Sequence, residues 1–127
     1  MARDRGSVTA FFVGLVSIFV LSAGLALDGA RVVAGRVAVG DHAENAARLA
    51  AQEVELIRLG WRVIDPLRAT EVARSYLSEH GVDGSVSIGP RTVTVVARLE
   101  VEPTLLGVIG QDPWVVQESR TAEITDS

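Results

Sequence analysis

Hydrophobic positions crowd the front of this chain, then thin into two different periodicities. Across residues 6–27 (GSVTAFFVGLVSIFVLSAGLAL) no ionisable side chain interrupts the apolar run. Twenty helical residues rise about 30 Å, the thickness of a bilayer's hydrocarbon core, and residues 8–27 fit that span. The run does not end in a turn. Residues 28–59 contain no Pro and are dominated by Ala, Val, Leu, Arg and Glu. Glu44 with Arg48, and Glu55 with Arg58, stand at helical pairing distance, and Gly60 supplies a stop. The pattern predicts one helix over 8–59, about fifty residues and about 75 Å long. Gly29, Gly35 and Gly40 each weigh against it by about 1 kcal/mol relative to Ala. Asp41, a ready N-cap after Gly40, marks the point where a break would fall.

This helix has a patterned surface. Ser22, Ala26, Ala30, Ala34 and Ala38 recur every four residues, and Ala43, Ala47 and Ala51 repeat the spacing with Ala46 and Ala50 beside them. Small residues so spaced admit a second helix at close range, although Ala is also simply a good helix former. Val32, Val33, Val37, Leu49, Val54 and Ile57 need cover that one helix cannot give itself, from the rest of the chain or from neighbouring subunits.

Beyond residue 60 the pattern predicts a small α+β unit. Asp65 followed by Pro66 reads as N-cap and first turn. Leu67, Ala69, Val72, Ala73, Tyr76 and Leu77 give that helix one apolar face, and it ends at Gly81 with His80 in the last turn. Three antiparallel strands follow. The first is 85–88, with Val86 and Ile88 on one side, and a turn at 89–91 leads to the second, 92–102. There Val93, Val95, Ala97, Leu99 and Val101 alternate with polar residues, the period of a half-buried strand. Pro103 ends it. The third strand is 114–124, with Glu118 and Arg120 on one face, solvating its edge. The intervening TLLGVIG, 104–110, is apolar for a loop and is either a plug over the core or an exposed patch for a partner or membrane surface. The expected architecture is α+β: a long N-terminal helix, a short second helix and a three-stranded antiparallel sheet. Its divisions are a charged leader at 1–7, a membrane span at 8–27, a helical continuation at 28–60 and the small domain at 61–127.

Charge orients the span. Arg3 and Arg5 oppose Asp4 before it, with the terminal amine, while Asp28, Arg31, Arg36 and Asp41 cancel after it. The positive-inside rule then puts the N-terminus in the cytoplasm and the C-terminal domain outside. Asp28 and Arg31, three residues apart at the membrane exit, form an expected boundary ion pair. A cleaved secretory signal, with Gly24 and Ala26 before the cut, is the alternative. Against it stand the length of the apolar run and the helical register that continues past it.

The net charge of −4 argues against binding nucleic acid through its phosphates. All 12 basic residues are Arg, and there is no Cys for disulfides, thiolate metal sites or a thiol nucleophile. His42 lacks a ligand at helical spacing and His80 is far away in sequence, so no metal site is expected. No Gly-rich phosphate loop and no G-x-S-x-G elbow occurs. The residues point away from catalysis and from any cofactor.

Three features carry a family resemblance. The opening RDRGSVTAFF is a short charged leader ending in Gly6 before an apolar span. LALDGARVVAGR places Asp28 and Arg31 at the end of that span, and DHAENAARLAAQE is an Ala-rich helix after it. Over about residues 3–55 the chain resembles the TadE/TadG-like proteins of the tight-adherence (Flp) pilus machinery, and DPLRATEVARSYLSEHG is similar to actinobacterial members. The resemblance implies a pilin-like subunit or assembly factor of a bacterial surface filament. Its implied partners are the membrane, other pilin-like subunits or Tad assembly proteins, and a prepilin peptidase cutting between Gly6 and Ser7. The chain departs from the pilin pattern at Phe11, where pilins carry a Glu five residues after that Gly. Two other roles remain open on the residues: a single-pass anchored binding module using 104–110, and a secreted domain released by signal removal.

Overall fold

A computed structural model describes residues 2–56 and 62–124. The apolar run and its continuation form a single helix, α1, Ala2–Ala51, which passes through Gly40 and Asp41 without a break. It is the one helix among the described residues that is long and apolar enough to cross a membrane, as a single-pass anchor or a signal sequence would.

The helix ends earlier than the residue pattern predicts. Gln52 and Glu53 donate to the carbonyls of Leu49 and Ala50, the tightened bonds of a terminating turn. The chain then enters a small hairpin, β1 (Val54–Leu56) against β2 (Arg62–Ile64), with Val54 opposite Ile64. The helical continuation expected over 28–60 therefore stops at Ala51. The reason is tertiary: Ile64 is buried, its amide donates to the Pro90 carbonyl, and the Asp65 amide donates to Glu53. These bonds tie the hairpin to the head. Ile57, Gly60 and Arg58, the predicted partner of Glu55, lie outside the described residues.

Helix α2 (Pro66–Glu79) starts where Asp65 and Pro66 predict. The Asp65 carboxylate accepts from the amides of Leu67 and Arg68 at 3.0 and 3.3 Å. Losing this cap in Asp65→Ala is expected to cost about 1 kcal/mol, read as a lower denaturation midpoint of the head in detergent. An unchanged midpoint would show the cap to be without weight. Ala69, Ala73 and Leu77 are the buried face of α2, which Gly81 closes with a φ of 65°.

The sheet has the order β3 (Asp83–Ile88), β4 (Thr92–Val101), β5 (Trp114–Glu123), all antiparallel. Ile88 pairs with Val93 at one end, and Val101 pairs with Trp114 at the other, next to the connecting loop. Val93, Val95 and Ala97 are fully buried and Leu99 and Val101 half-buried, as the alternation predicts. On the other face the hydroxyls of Thr94 and Thr121 meet at 2.8 Å.

The core lies between this sheet and two helices. The outer part of α1 supplies Val39, Ala43, Ala46, Ala47 and Ala50, all fully buried with Ala69, Ala73, Val93 and Val95. The head thus gains core from the rod, which a domain this short needs for lack of internal volume. Glu118 and Arg120 do not simply solvate an outer edge. They pair at 3.0 Å, and the Arg120 guanidinium lies against Gly40 of α1.

Candidate functional site

The chemistry of this chain is concentrated where the rod leaves the head. Residues 4–23 of α1 are exposed without exception, among them Phe11, Phe12, Ile18 and Phe19. Residues 24, 28, 32, 35 and 39 then form a strip that meets the head, buried or half-buried at each position. Two glycines make that approach close. A Cβ at Gly24 would collide with the Leu105 side chain, and one at Gly35 would lie 2.7 Å from Val101. The helical cost of these glycines is offset by contact that a side chain would forbid.

Asp28 sits in the middle of this strip, 1% exposed. One carboxylate oxygen accepts from the Thr104 amide at 2.7 Å, and the other accepts from Leu106 at 3.0 Å and Leu105 at 3.3 Å. They are the amide of the first residue of the short 3-10 turn Leu106–Ile109 and those of the two residues before it. Asp28 therefore caps that turn from another element, through charge-assisted bonds. The amides of Leu106 and Thr104, foremost, hold its carboxyl below the usual carboxylate range, against the opposing effect of desolvation.

This corrects the expected ion pair of Asp28 and Arg31. The carboxylate faces the loop, while Arg31 is exposed and adds only the smallest of the attractions acting on Asp28. The physical reason is direction: the carboxylate is turned toward the three amides of the loop, and solvent weakens an exposed Arg charge. No sequence spacing reveals this cap, since donors and acceptor lie 76 to 78 residues apart. The available signal was a lone carboxylate at the end of an apolar run.

The small-residue stripe divides in two. Ser22, Ala26, Ala30 and Ala34 are exposed and Ala38 is half-buried, whereas Ala43, Ala46, Ala47, Ala50 and Ala51 are buried in the head. At 3.6 residues per turn Ala26 and Ala30 lie nearly opposite the strip that meets the head, with Ser22 and Ala34 turned about a third of a turn from it. Gly6 and Ser7 lie within the exposed start of α1, and a Cβ at Gly6 would meet nothing.

The two histidines come together despite their separation in sequence. The His42 and His80 rings are 4.9 Å apart, and His80 lies 4.2 Å from the Tyr76 ring. The Nδ1 of His80 donates to the Tyr76 carbonyl at 2.7 Å. Asn45 donates to the Tyr76 hydroxyl at 3.3 Å, and that hydroxyl meets Nδ1 of His42 at 3.2 Å. The arrangement ties α1 to α2. Among the described residues no three His, Cys, Asp or Glu side chains gather as a metal site would require.

An open cleft between α1, the hairpin and β5 is lined by Arg48, Arg62, Arg120, Glu44 and Glu123. Glu44 pairs with Arg48 one helical turn on within the wall, and Arg120 is paired by Glu118 outside it, so much of the cleft's charge is neutralised locally. No family model, curated protein or solved structure matches this chain.

Proposed function

We propose that this chain is a non-enzymatic structural component of a bacterial tight-adherence (Flp) pilus or a related secretion system, pilin-like or TadE/TadG-like. In this reading residues 8–27 hold it in the cell membrane, with the N-terminus cytoplasmic and the head outside. The supporting observation is the division of α1. Residues 4–23 are wholly exposed and apolar for most of their length, while the same helix ends as part of the head's core. Such a segment is stable in lipid or against other apolar helices. Transfer from a bilayer to the core of a helical assembly changes its surroundings little. The exposed Ser22, Ala26, Ala30 and Ala34, turned away from the head, offer a close-packing face to a second copy.

Two measurements test the reading. Intact mass of the chain extracted from membranes is expected to show a cut between Gly6 and Ser7; a product retaining Met1 or Ala2 excludes that processing. Ala30→Leu combined with Ala34→Leu is expected to weaken crosslinking between subunits about fivefold, the factor for ~1 kcal/mol of lost packing. Unaltered crosslinking would remove the stripe from the proposal.

Phe11 favours a second reading. A pilin's Glu at this position can neutralise the new terminal amine of a neighbouring subunit, and Phe11 cannot. The helix would then remain a permanent single-pass anchor for an outward binding module. Co-purification of a partner after deletion of every pilus component would favour this second role over the first.

A further inference from the structure

Apart from Leu67 at the start of α2, the most exposed large apolar side chains of the head gather at one height on the rod. Val108 and Ile109, on the turn Leu106–Ile109, are 85% and 73% exposed. Water is a costly neighbour for such a pair. The height of the turn is fixed twice over: the amides of 104–106 bond to Asp28, and Leu105 rests on Gly24. Gly24 lies about 5 Å inside the apolar run that ends at Leu27. The turn therefore stands beside the last helical turn of the span. Its surroundings fit a lipid boundary. Arg31 and Arg36 are exposed on α1 just beyond, where lipid phosphates would lie, and Trp114 is half-buried at the end of the β4–β5 ladder next to the loop. Trp and long basic side chains favour this zone of a bilayer.

We infer that the 104–110 loop is a second membrane contact, with Val108 and Ile109 entering the interfacial layer of the leaflet on the head's side. The inference rests on the membrane-held reading of α1 and does not depend on a filament. A helix alone is free to spin about its axis in lipid. A helix with an apolar toe beside its exit is held at one rotation, and the head with it.

The chain has no cysteine, so single labelling sites are clean. Val108→Cys, Ile109→Cys, Phe12→Cys and Ser87→Cys, each in the full chain, are labelled with an environment-sensitive nitrobenzoxadiazole. They are reconstituted in vesicles of phosphatidylcholine and phosphatidylglycerol. Ser87 is exposed at the far end of the sheet and serves as the aqueous reference. Labels at 108 and 109 are expected to shift to shorter wavelength, to be quenched by nitroxides near the lipid headgroups and to lose quenching by aqueous iodide. If 108 and 109 behave as Ser87 does while Phe12 is quenched from within the bilayer, the loop contact is overturned and the anchor stands. Shielding from iodide without lipid quenching means a protein covers the loop and also overturns the inference. If Phe12 itself escapes lipid quenching, the anchor reading falls and the loop contact with it.

Discussion

Ala47→Leu is expected to lower the stability of the head by about 1–3 kcal/mol, the usual range for overpacking a filled core. Ala47 is fully buried with Ala43, Ala46 and Ala50, in one cluster with Ala69, Ala73, Val93 and Val95. The helix–head packing here is built from methyl groups, so three further carbons have nowhere to go without pushing α1 off the sheet or off α2. In a domain this small each kcal/mol moves the melting midpoint by about 4–8 °C. The measurement is thermal unfolding followed by the fluorescence of the tryptophans, with Trp114 standing on β5, since the exposed part of α1 would stay helical in detergent and mask the change in far-ultraviolet dichroism. Adding Ala46→Leu should deepen the loss. Ala34→Leu, at an exposed position of the same helix, is expected to stay within about 0.5 kcal/mol of the parent. Equal melts for Ala47→Leu and Ala34→Leu would contradict the division of the stripe into a head-packing part and a free part.

The second large effect belongs to Asp28. Asp28→Ala leaves the amides of Thr104, Leu105 and Leu106 without their acceptor. Unpaired buried donors are costly, so the loop is expected to lift from α1. Amide hydrogen exchange at 104–106 should rise toward that of unbonded, exposed amides, and Leu105 should become open to proteolysis beside them. Asp28→Asn is expected to fall between the two, since one carboxylate oxygen is replaced by a donor that faces other donors. Unchanged exchange in Asp28→Ala would show that the cap holds nothing. The same bond sets a pH dependence. The folded-state pKa of Asp28 is lowered, whereas a free Asp titrates near about 3.9. The contribution is therefore fully present above that unfolded value and is lost as pH falls through the lower folded one. Protection of the 104–106 amides should persist at neutral and mildly acidic pH and weaken only below about pH 4.

What was legible in the residues and what was not divides by range. The long helix up to its end, the cap of α2 at Asp65 and the alternation of β4 are local patterns, each set by neighbours along the chain; the cap and the alternation appear as expected, and the helix does except that it stops at Ala51. The hairpin of Val54–Leu56 and Arg62–Ile64 was hidden because its strands are three residues long. Glu, Leu and Arg at those positions suit a helix as well, and bonds from Ile64 to Pro90 and from Asp65 to Glu53 decide the matter. Asp28 shows the same limit at the site. Its position at the end of the apolar run was visible, but its partners lie on a loop whose approach to α1 depends on the whole sheet. In the sequence Gly35 reads as a weakness of a helix and Gly24 as a small residue before a signal cut, and only the packed head turns them into points of closest approach.

That α1 runs into the head without a linker makes the molecule a lever. Whatever grips residues 8–27 also aims the head, because no hinge lies between Leu27 and Ala51 to absorb a change of angle. Tilting the gripped part by about 20°, an ordinary inclination for a spanning helix, would carry the far end of α1 sideways by about 12 Å. In the proposed assembly of several such chains, a small adjustment at residues 8–27 would thus be magnified into a large displacement of the head.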